Sequence, residues 1–513
     1  MSAADAITAF LAAGAVSLLI VPLAARWAQR MGALDAPDGR RKSQARPVPL
    51  GGGVAVALAA MVGVAVVFLW RSPSSTLAAG AMWQWALPSV VVLVVVGLID
   101  DLVGLTGIYK LIGQVLAATL LVAAGFCFDR ISLFGWQVDL GDFGIPFSIF
   151  FCLGAMNAFN LIDGADGLAA SIGAVVCLTL GVIAASQHAT TAALASFAFS
   201  GALVGFLRYN APPARVYLGD TGSMLIGWLV AAVAIRSSIK GHAAVALTVP
   251  VAICAIPILD AAAALVRRMT TGQSVFAPDR GHFHHALIHR GWTVGQTAAL
   301  AAGLTAITCA GAIASYFTGQ ELYAIVSAGG VVAALAAARV FGHSELSLLS
   351  THARSMVRGA LRQMRPADAV PAEDADHSIQ LQGRREWHVL WSALREGAAI
   401  HRLSSLRLNI NIPHLHESFY ANWRASDHPG DERAWRLALP LSYGGRPIGR
   451  LLVEGRPAAN AFVEIQQFLD FLEPLDAELA RLVDEVETEC ALRPAAFESL
   501  APMAGELAPA ADY

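Results

Sequence analysis

The feature that most constrains this chain is an uncharged, mostly apolar run from about Ala6 to Ala25, repeated in variants as far as residue 342. About 20 apolar residues are what a helix needs to cross the hydrocarbon core of a bilayer. Such runs centre near residues 16, 60, 92, 118, 153, 176, 198, 228, 255, 306 and 331. The fifth and eighth read as short or interrupted by polar residues. The first run has Asp5 before it and Arg26 and Arg30 after it, the reverse of a signal peptide's charge order, so it reads as a retained transmembrane helix. Composition agrees: charged residues make up 14% of the chain, against about 25% in an ordinary soluble domain. The expected fold class is an all-α polytopic membrane protein with about eleven transmembrane helices and a C-terminal soluble α/β domain. The six cysteines are far apart, without metal or disulfide spacing, and read as small hydrophobes.

Cytoplasmic loops carry the Lys/Arg excess. The first connection, "RWAQRMGALDAPDGRRKSQARP", holds six basic residues, and the connection after the ninth run, "VRRMTTGQSVFAPDRGHFHHALIHRG", is basic as well. An even number of spans separates them, so both fall inside, with the N-terminus outside and the C-terminus inside. The loop "FDRISLFGWQVDLGDFGIP" then lies outside, and its alternation around Ile131–Val138 predicts a small hairpin. Residues 1–342 form the membrane domain. A juxtamembrane helix and linker follow over 343–377, where Arg354, Arg358 and Arg362 share one face that either rests on anionic headgroups or is solvated. The α/β domain covers 378–490 and shows no catalytic constellation; 491–513 reads as tail.

The polar motifs gather on the inner side. The third span ends in "GLIDDLVGL", with adjacent Asp100 and Asp101. The fifth ends in "NAFNLIDGADGL", where Asn157, Asn160 and Asp163 sit at i, i+3 and i+6 in one sector of a helix, and Gly164 and Gly167 allow a turn that brings Asp166 close. Asn210 and Asp220 flank a Pro-Pro break before the eighth span, and Asp279, Arg280, His282, His284 and His285 follow the ninth. Ionisable groups at bilayer depth are costly, and any one of these could be a solvated helix end. Convergence from three separate helix ends favours a site. Carboxylate and amide oxygens suit a hard cation such as Mg²⁺, with Mn²⁺ as the alternative. Lys42, Lys110, Arg215 and Arg280 are available for phosphate oxygens. A divalent cation with a basic rim describes phosphoryl transfer between anionic substrates, one of them in the membrane. "HFHH" also fits a Zn²⁺ site through His282 and His285, though no cysteine accompanies them.

Four separated stretches, "DAPDGRRKSQARPVPLGGG", "DDLVGL", "NAFNLIDGADGLA" with "GDTGS", and "PDRGHFHH", resemble the polyprenyl-phosphate N-acetylhexosamine-1-phosphate transferases over residues 1 to about 342. The "PDRGHFHH" form resembles the branch acting on GlcNAc. The resemblance implies transfer of GlcNAc-1-phosphate from UDP-GlcNAc to undecaprenyl phosphate, with release of UMP, starting a cell-envelope polysaccharide at the bacterial cytoplasmic membrane. It implies Asp220 and Asn160 on Mg²⁺, and Asp100 as base or electrostatic partner of the lipid phosphate with Asp101 beside it. Lys42 and Lys110 would contact phosphate. Asn157, Asp163, Asp166 and Asn210 would shape the nucleotide and cation environment, and Arg280, His282, His284 and His285 would engage the sugar phosphate. The chain departs from the family in the first loop, where Gln44 stands in place of the usual His, and in its C-terminal domain, which is either regulatory or recruits a downstream glycosyltransferase. Besides the two substrates, the expected partners are membrane lipids; nothing points to nucleic acid. Two rival readings stay open: an inactive scaffold for the C-terminal domain, and a transporter, for which Asp260 in "PILDAAAALVRR" is the one suitable acid on a span.

Overall fold

The computed structural model describes residues 1–36, 47–70, 77–134, 136–240, 247–271, 281–338, 340, 345, 349–350, 375–383, 385–412, 415, 417–425, 434–456 and 461–498. They form two compact units. The first comprises Met1–Leu265 with His282–His343, the second Val266–Gly281 with Ser344–Tyr513.

The first unit is helical: α1 (Ala3–Met31), α2 (Gly52–Trp70), α3 (Leu77–Val103), α4 (Gly107–Ala123), α5 (Gly144–Ile162), α6 (Leu168–Ser186), α7 (Thr190–Asn210), α8 (Gly219–Lys240), α9 (Thr248–Ile253), α10 (Ala255–Thr270, whose last turns belong to the second unit), α11 (Phe283–His289), α12 (Val294–Thr318) and α13 (Leu322–Ala337). Each of the eleven sequence centres falls within one of these helices. Among the described residues, seven stretches are long and apolar enough to cross a bilayer: Ala3–Met31, Gly52–Trp70, Trp85–Val103, Gly141–Ile162, Leu168–Ser186, Thr190–Asn210 and Val294–Thr318. Of the two doubtful runs, the fifth is one of these seven stretches, while the eighth, α8, is not. α5 and α8 have 19 and 22 residues, whereas α4 and α13 have 17 and 16, and the ninth region breaks at Cys254 between α9 and α10. Polar side chains at the start of α8 and the end of α5 lowered the apparent apolarity without shortening the helices.

α1 begins with a capping box between Ser2 and Asp5 and ends at Gly32 in the left-handed conformation, with Arg30 in its last turn. This arrangement satisfies orphan N–H groups at one end and complements the helix dipole at both. The expected hairpin is present, as β3 (Arg130–Leu133) paired antiparallel with β4 (Trp136–Asp139), Ile131 opposite Val138; a shorter pair, β1 (Leu34–Asp35) and β2 (Val48–Pro49), precedes α2.

α1 packs on α2 and α7, α5 on α8, and α3 on α4 and α8. Glycines allow the closest approaches. A Cβ on Gly53 would lie 2.2 Å from the backbone nitrogen of Gly222, and one on Gly97 would lie 2.5 Å from the Cα of Thr221. The "PLGGG" stretch therefore acts as a seat: the Gly52 and Gly53 N–H groups also donate to the carbonyls of Tyr217 and Leu218, at 3.0 and 2.8 Å, fixing the loop that enters α8.

In the second unit, β5 (Ala375–Gln382), β6 (Ser405–Ile412), β7 (Glu417–Arg424), β8 (Arg436–Tyr443) and β9 (Arg446–Glu454) form one sheet of order β5-β7-β6-β9-β8, with helices α14 (Trp387–Ile400) and α15 (Ala461–Glu498). Every pairing is antiparallel, so the unit is an α+β arrangement in place of the expected α/β one. Its core holds Trp387, Leu406, Ile410, Phe419 and Phe468. The buried Glu417 accepts hydrogen bonds from Trp387 Nε1 (2.9 Å) and Gln380 Nε2 (3.0 Å). On β6, Asn409 donates to the carbonyl of Thr271 at 2.9 Å, so the sheet holds the residue that follows α10. β5 begins at Ala375, inside the stretch read as linker, and α15 runs to Glu498, into the stretch read as tail.

Candidate active site

Four helix ends of the first unit bring their polar groups together. Asp100 and Asp101 lie in the last turn of α3. Gly104, at φ +69°, turns the chain so that the Leu105 N–H donates to Asp100 Oδ1 at 2.6 Å. α4 starts at once and carries Lys110 in its first turn. Lys110 Nζ lies 3.1 Å from Asp100 Oδ2 and 2.7 Å from Asp220 Oδ2, and donates to Asn160 Oδ1 at 3.1 Å. Asn160 Nδ2 donates in turn to Asp220 Oδ1 and to Ser223 Oγ. Asp100, Lys110, Asn160 and Asp220 thus form one contiguous polar cluster drawn from α3, α4, α5 and α8.

A second set of the expected site residues builds the frame around this cluster. Asp101 accepts the backbone N–H of Asp220 and the hydroxyl of Thr221, both at 2.9 Å. Its carboxylate caps the N-terminus of α8, where orphan N–H groups and the helix dipole favour an anion. Asp166 accepts the Ala214 N–H at 2.8 Å. Asn210 is buried, with its oxygen on the Gly167 N–H (3.1 Å) and its amide on the Val216 carbonyl (2.9 Å). Those two bonds engage both ends of the amide and tie the α5–α6 turn to the loop before α8. Asn157 donates to Gln114 Oε1 (2.9 Å) and to the Leu153 carbonyl (2.8 Å), which locks α5 to α4.

Asp163 stands at the end of α5. Withdrawal from water, reinforced by the charges of Asp220 and Asp101, pushes its carboxyl up to about 8. The turn that follows uses its two glycines differently. Gly167 adopts φ +73°, a conformation glycine takes without steric cost. Gly164 instead makes room: a Cβ there would lie 2.5 Å from His284 Nε2. The histidine motif therefore lies over the "IDGADG" turn. His284 is buried, its ring between His282 (centroids 5.9 Å apart, stacked) and His285 (4.2 Å, tilted). Burial, with His282 beside it, pushes its pKa down to about 3, so it is a neutral imidazole, and among the described residues its two ring nitrogens have no hydrogen-bond partner.

His282 meets a residue that the sequence assigned to a rival function. Its Nδ1 is 2.9 Å from Asp260 Oδ2, and the Phe283 N–H donates to Asp260 Oδ1 at 2.8 Å. Asp260 thus joins the histidine motif. The signal available in the sequence was an acid on a span, 22 residues before its partner, with no periodicity to link them. Ser223, one turn after Asp220, and Gln114 were also missed. Lys42, Gln44, Asp279 and Arg280 lie outside the described residues.

The donor chemistry suits a hard cation. Three carboxyl groups, Asp100, Asp163 and Asp220, neighbour the Lys110 ammonium, and the oxygens gathered there come from carboxylate, amide and hydroxyl groups. Among the described residues no three His, Cys, Asp or Glu side chains converge as a metal cage. Among the described residues no closed Zn²⁺ site is seen at the histidines.

A profile described as "Glycosyl transferase family 4" matches residues 83–238, which hold the α3, α5 and α8 motifs. The chain is 30% identical over 285 residues to the probable undecaprenyl-phosphate N-acetylglucosaminyl 1-phosphate transferase of Bacillus subtilis, covering 55% of this chain and 77% of that one. It is 30% identical over 361 residues to the decaprenyl-phosphate N-acetylglucosaminephosphotransferase of Mycobacterium tuberculosis, covering 64% and 85%. Against the undecaprenyl-phosphate alpha-N-acetylglucosaminyl 1-phosphate transferase of Escherichia coli K12 it is 29% identical over 287 residues, covering 54% and 75%.

Proposed function

Since the chain belongs to the polyprenyl-phosphate N-acetylglucosamine-1-phosphate transferases of glycosyl transferase family 4, and is a membrane phosphotransferase, we propose the following reaction. It transfers N-acetylhexosamine 1-phosphate, GlcNAc-1-phosphate first among the candidates, from the UDP-sugar to undecaprenyl phosphate, and releases UMP. The observation that carries this reading is the Asp100–Lys110–Asn160–Asp220 cluster, where one ammonium bridges two carboxylates from different helices at 3.1 and 2.7 Å. It is a polar centre built for anions and a cation at the end of apolar helices.

In this reading an oxygen of the lipid phosphate attacks the β-phosphorus of the UDP-sugar. The new P–O bond forms as the bond from β-phosphorus to the bridging oxygen breaks, and that oxygen leaves with UMP. A phosphate monoester is already largely ionised near neutral pH, so the phosphate attacks directly, without a covalent aspartyl intermediate. Asp220 and Asn160 would hold Mg²⁺, which supplies charge stabilisation to the diphosphate and the leaving UMP. Lys110 exchanges its carboxylate partners for phosphate oxygens. Asp100 orients the lipid phosphate or takes a proton from its monoanion. Asp101 keeps Asp220 in place through the α8 backbone. His282, His284 and His285 engage the donor beside the "IDGADG" turn. Eleven spans, with the cluster and the C-terminal domain on the cytoplasmic face of the bacterial inner membrane and the N-terminus outside, complete the proposal; the basic first connection and the parity of the helices support it.

The test is an exchange assay on purified membranes with undecaprenyl phosphate, Mg²⁺ and a panel of labelled UDP-N-acetylhexosamines. UMP release coupled to sugar entering the lipid phase, from one donor and only with the cation, is the expected result. No transfer from any donor by folded protein would overturn it.

A further inference from the structure

Asp260 lies on α10, is 1% exposed, and takes no part in the cluster described above. Burying a carboxylate is costly unless its oxygens are hydrogen-bonded. Its two oxygens meet two consecutive residues of another segment, His282 through Nδ1 at 2.9 Å and Phe283 through its backbone N–H at 2.8 Å. The second bond satisfies one of the orphan N–H groups of α11, whose N-cap His282 makes no side-chain capping bond of its own. The first bond fixes the imidazole. An ionised carboxylate only accepts, so the proton between the two groups belongs to Nδ1. In that tautomer Nε2 carries the lone pair and can accept from an outside partner. The flat face of the ring is held as well, stacked on His284 at 5.9 Å.

On the transferase reading above, we propose that Asp260 is the positioning residue for His282. By holding Nδ1–H it selects the tautomer and sets the ring edge that presents Nε2 to the diphosphate of the sugar donor. An acceptor on the far nitrogen is the general way a protein fixes the tautomer and direction of a working histidine. The role is transmitted through His282; Asp260 touches no substrate. It also explains the only acid among the apolar residues of "PILDAAAALV" without a transport pathway.

Asp260→Asn separates this role from mere capping of α11. Its amide oxygen still accepts the Phe283 N–H, while its NH₂ faces Nδ1 and forces the proton onto Nε2. The expected result is a rise in KM for the UDP-sugar of about tenfold to a hundredfold, with KM for undecaprenyl phosphate unchanged. His282→Gln alone has a loss of similar size, and adding Asp260→Asn to it costs less than about threefold more, because the two residues act as one unit. Losses that multiply in the double variant would overturn the proposal, as would an unchanged donor KM in Asp260→Asn. Should Asp260→Asn fail to fold, ¹⁵N NMR of histidine-labelled wild-type protein in nanodiscs decides: a protonated Nδ1 on His282 is expected, and an unprotonated one refutes the assignment. His282→Gln at the wild-type rate would overturn the positioning role while leaving the transferase reaction standing. Absence of transfer by the folded wild-type protein overturns both.

Discussion

Replacing Gly164 by Ala tests whether the histidine motif is seated on the α5–α6 turn. The added Cβ would lie 2.5 Å from His284 Nε2 and 2.6 Å from Cε1, where ordinary contact begins at 3.4 Å, so the ring must retreat by about 0.9 Å. A flexible side chain would yield at little cost, but this ring is 1% exposed and flanked by His282 and His285. The strain therefore passes to α11 or to the turn. Overpacking of this kind costs about 1–3 kcal/mol. Drawn from the geometry that aligns the donor, that energy corresponds to roughly a 5- to 150-fold fall in kcat/KM. Membrane preparations of equal protein content would be assayed for UMP release at varied donor and fixed lipid phosphate, with thermal unfolding followed in parallel. The decisive variant is Gly164→Ala combined with His284→Ala, which removes the ring that the new methyl meets. The double variant should melt higher than Gly164→Ala alone. Gly164→Ala at full activity and full stability would show that the ring and the turn do not touch as described. Equal destabilisation with and without the His284 ring would show that the methyl meets something else.

Asp220→Asn should abolish Mg²⁺-dependent transfer while leaving expression and insertion intact, because Asp101 holds α8 through the backbone N–H of residue 220; near-normal transfer by this variant would remove the cation assignment. Asp101→Ala should lower the melting temperature more than Asp101→Asn, since the amide keeps an acceptor for the Asp220 N–H and its NH₂ can donate to the Thr221 hydroxyl, whereas Ala leaves both unpaired at about 1–3 kcal/mol per buried group; equal melting of the two would refute the capping role. Asp163 gives a pH dependence of known sign. With its carboxyl raised from 3.8 to about 8 in the fold, the folded state binds the extra proton between those values, so without divalent cation stability falls as pH rises from about 4 to 8. Asp163→Asn should flatten that part of a melting-temperature profile recorded in chelator.

The sequence displays the helices well because the bilayer writes its demand in runs of about 20 apolar residues. The hairpin at Ile131–Val138 is legible for an equally local reason, alternation with period two. In the C-terminal unit the strand-like runs "SLRLNINIP" and "AWRLALPLSYGGRPIGRLLVEG" and the helical runs "WHVLWSALREGAAI" and "VEIQQFLDFLEPLDAELARLVDEVE" display β6, β8, β9, α14 and α15, but β5 and β7 carry no such pattern. β7, "ESFYANWR", is buried along nearly all of its length, so it lacks the alternation of a half-exposed strand, and β5 is recruited by pairing with it. Antiparallel topology was not readable, because strand direction depends on which partners meet. At the site the motifs named from the sequence do meet, and the structure divides them into a central polar cluster and a frame. Asn157, Asp166 and Asn210 have the same chemistry as Asn160 and Asp220, yet their hydrogen bonds tie helices and turns together, whereas those of Asn160 and Asp220 converge on Lys110. Residue type and spacing carry no information about which groups already have partners.

The adjacent acids of α3 show why the division follows from geometry. Consecutive residues on an α-helix point about 100° apart, so Asp100 and Asp101 cannot aim at one atom without unwinding the last turn. Asp100 turns toward α4 and meets Lys110; Asp101 turns toward α8 and meets the Asp220 backbone and Thr221. The pair acts as a bracket, one member on the cluster and the other on the helix that delivers Asp220 to it. Gly219 belongs to the same bracket, since a Cβ there would lie 2.8 Å from both Asp101 oxygens. A single acid at this helix end could either complete the cluster or fix its opposite wall. Doing both requires two, in consecutive positions, facing different helices.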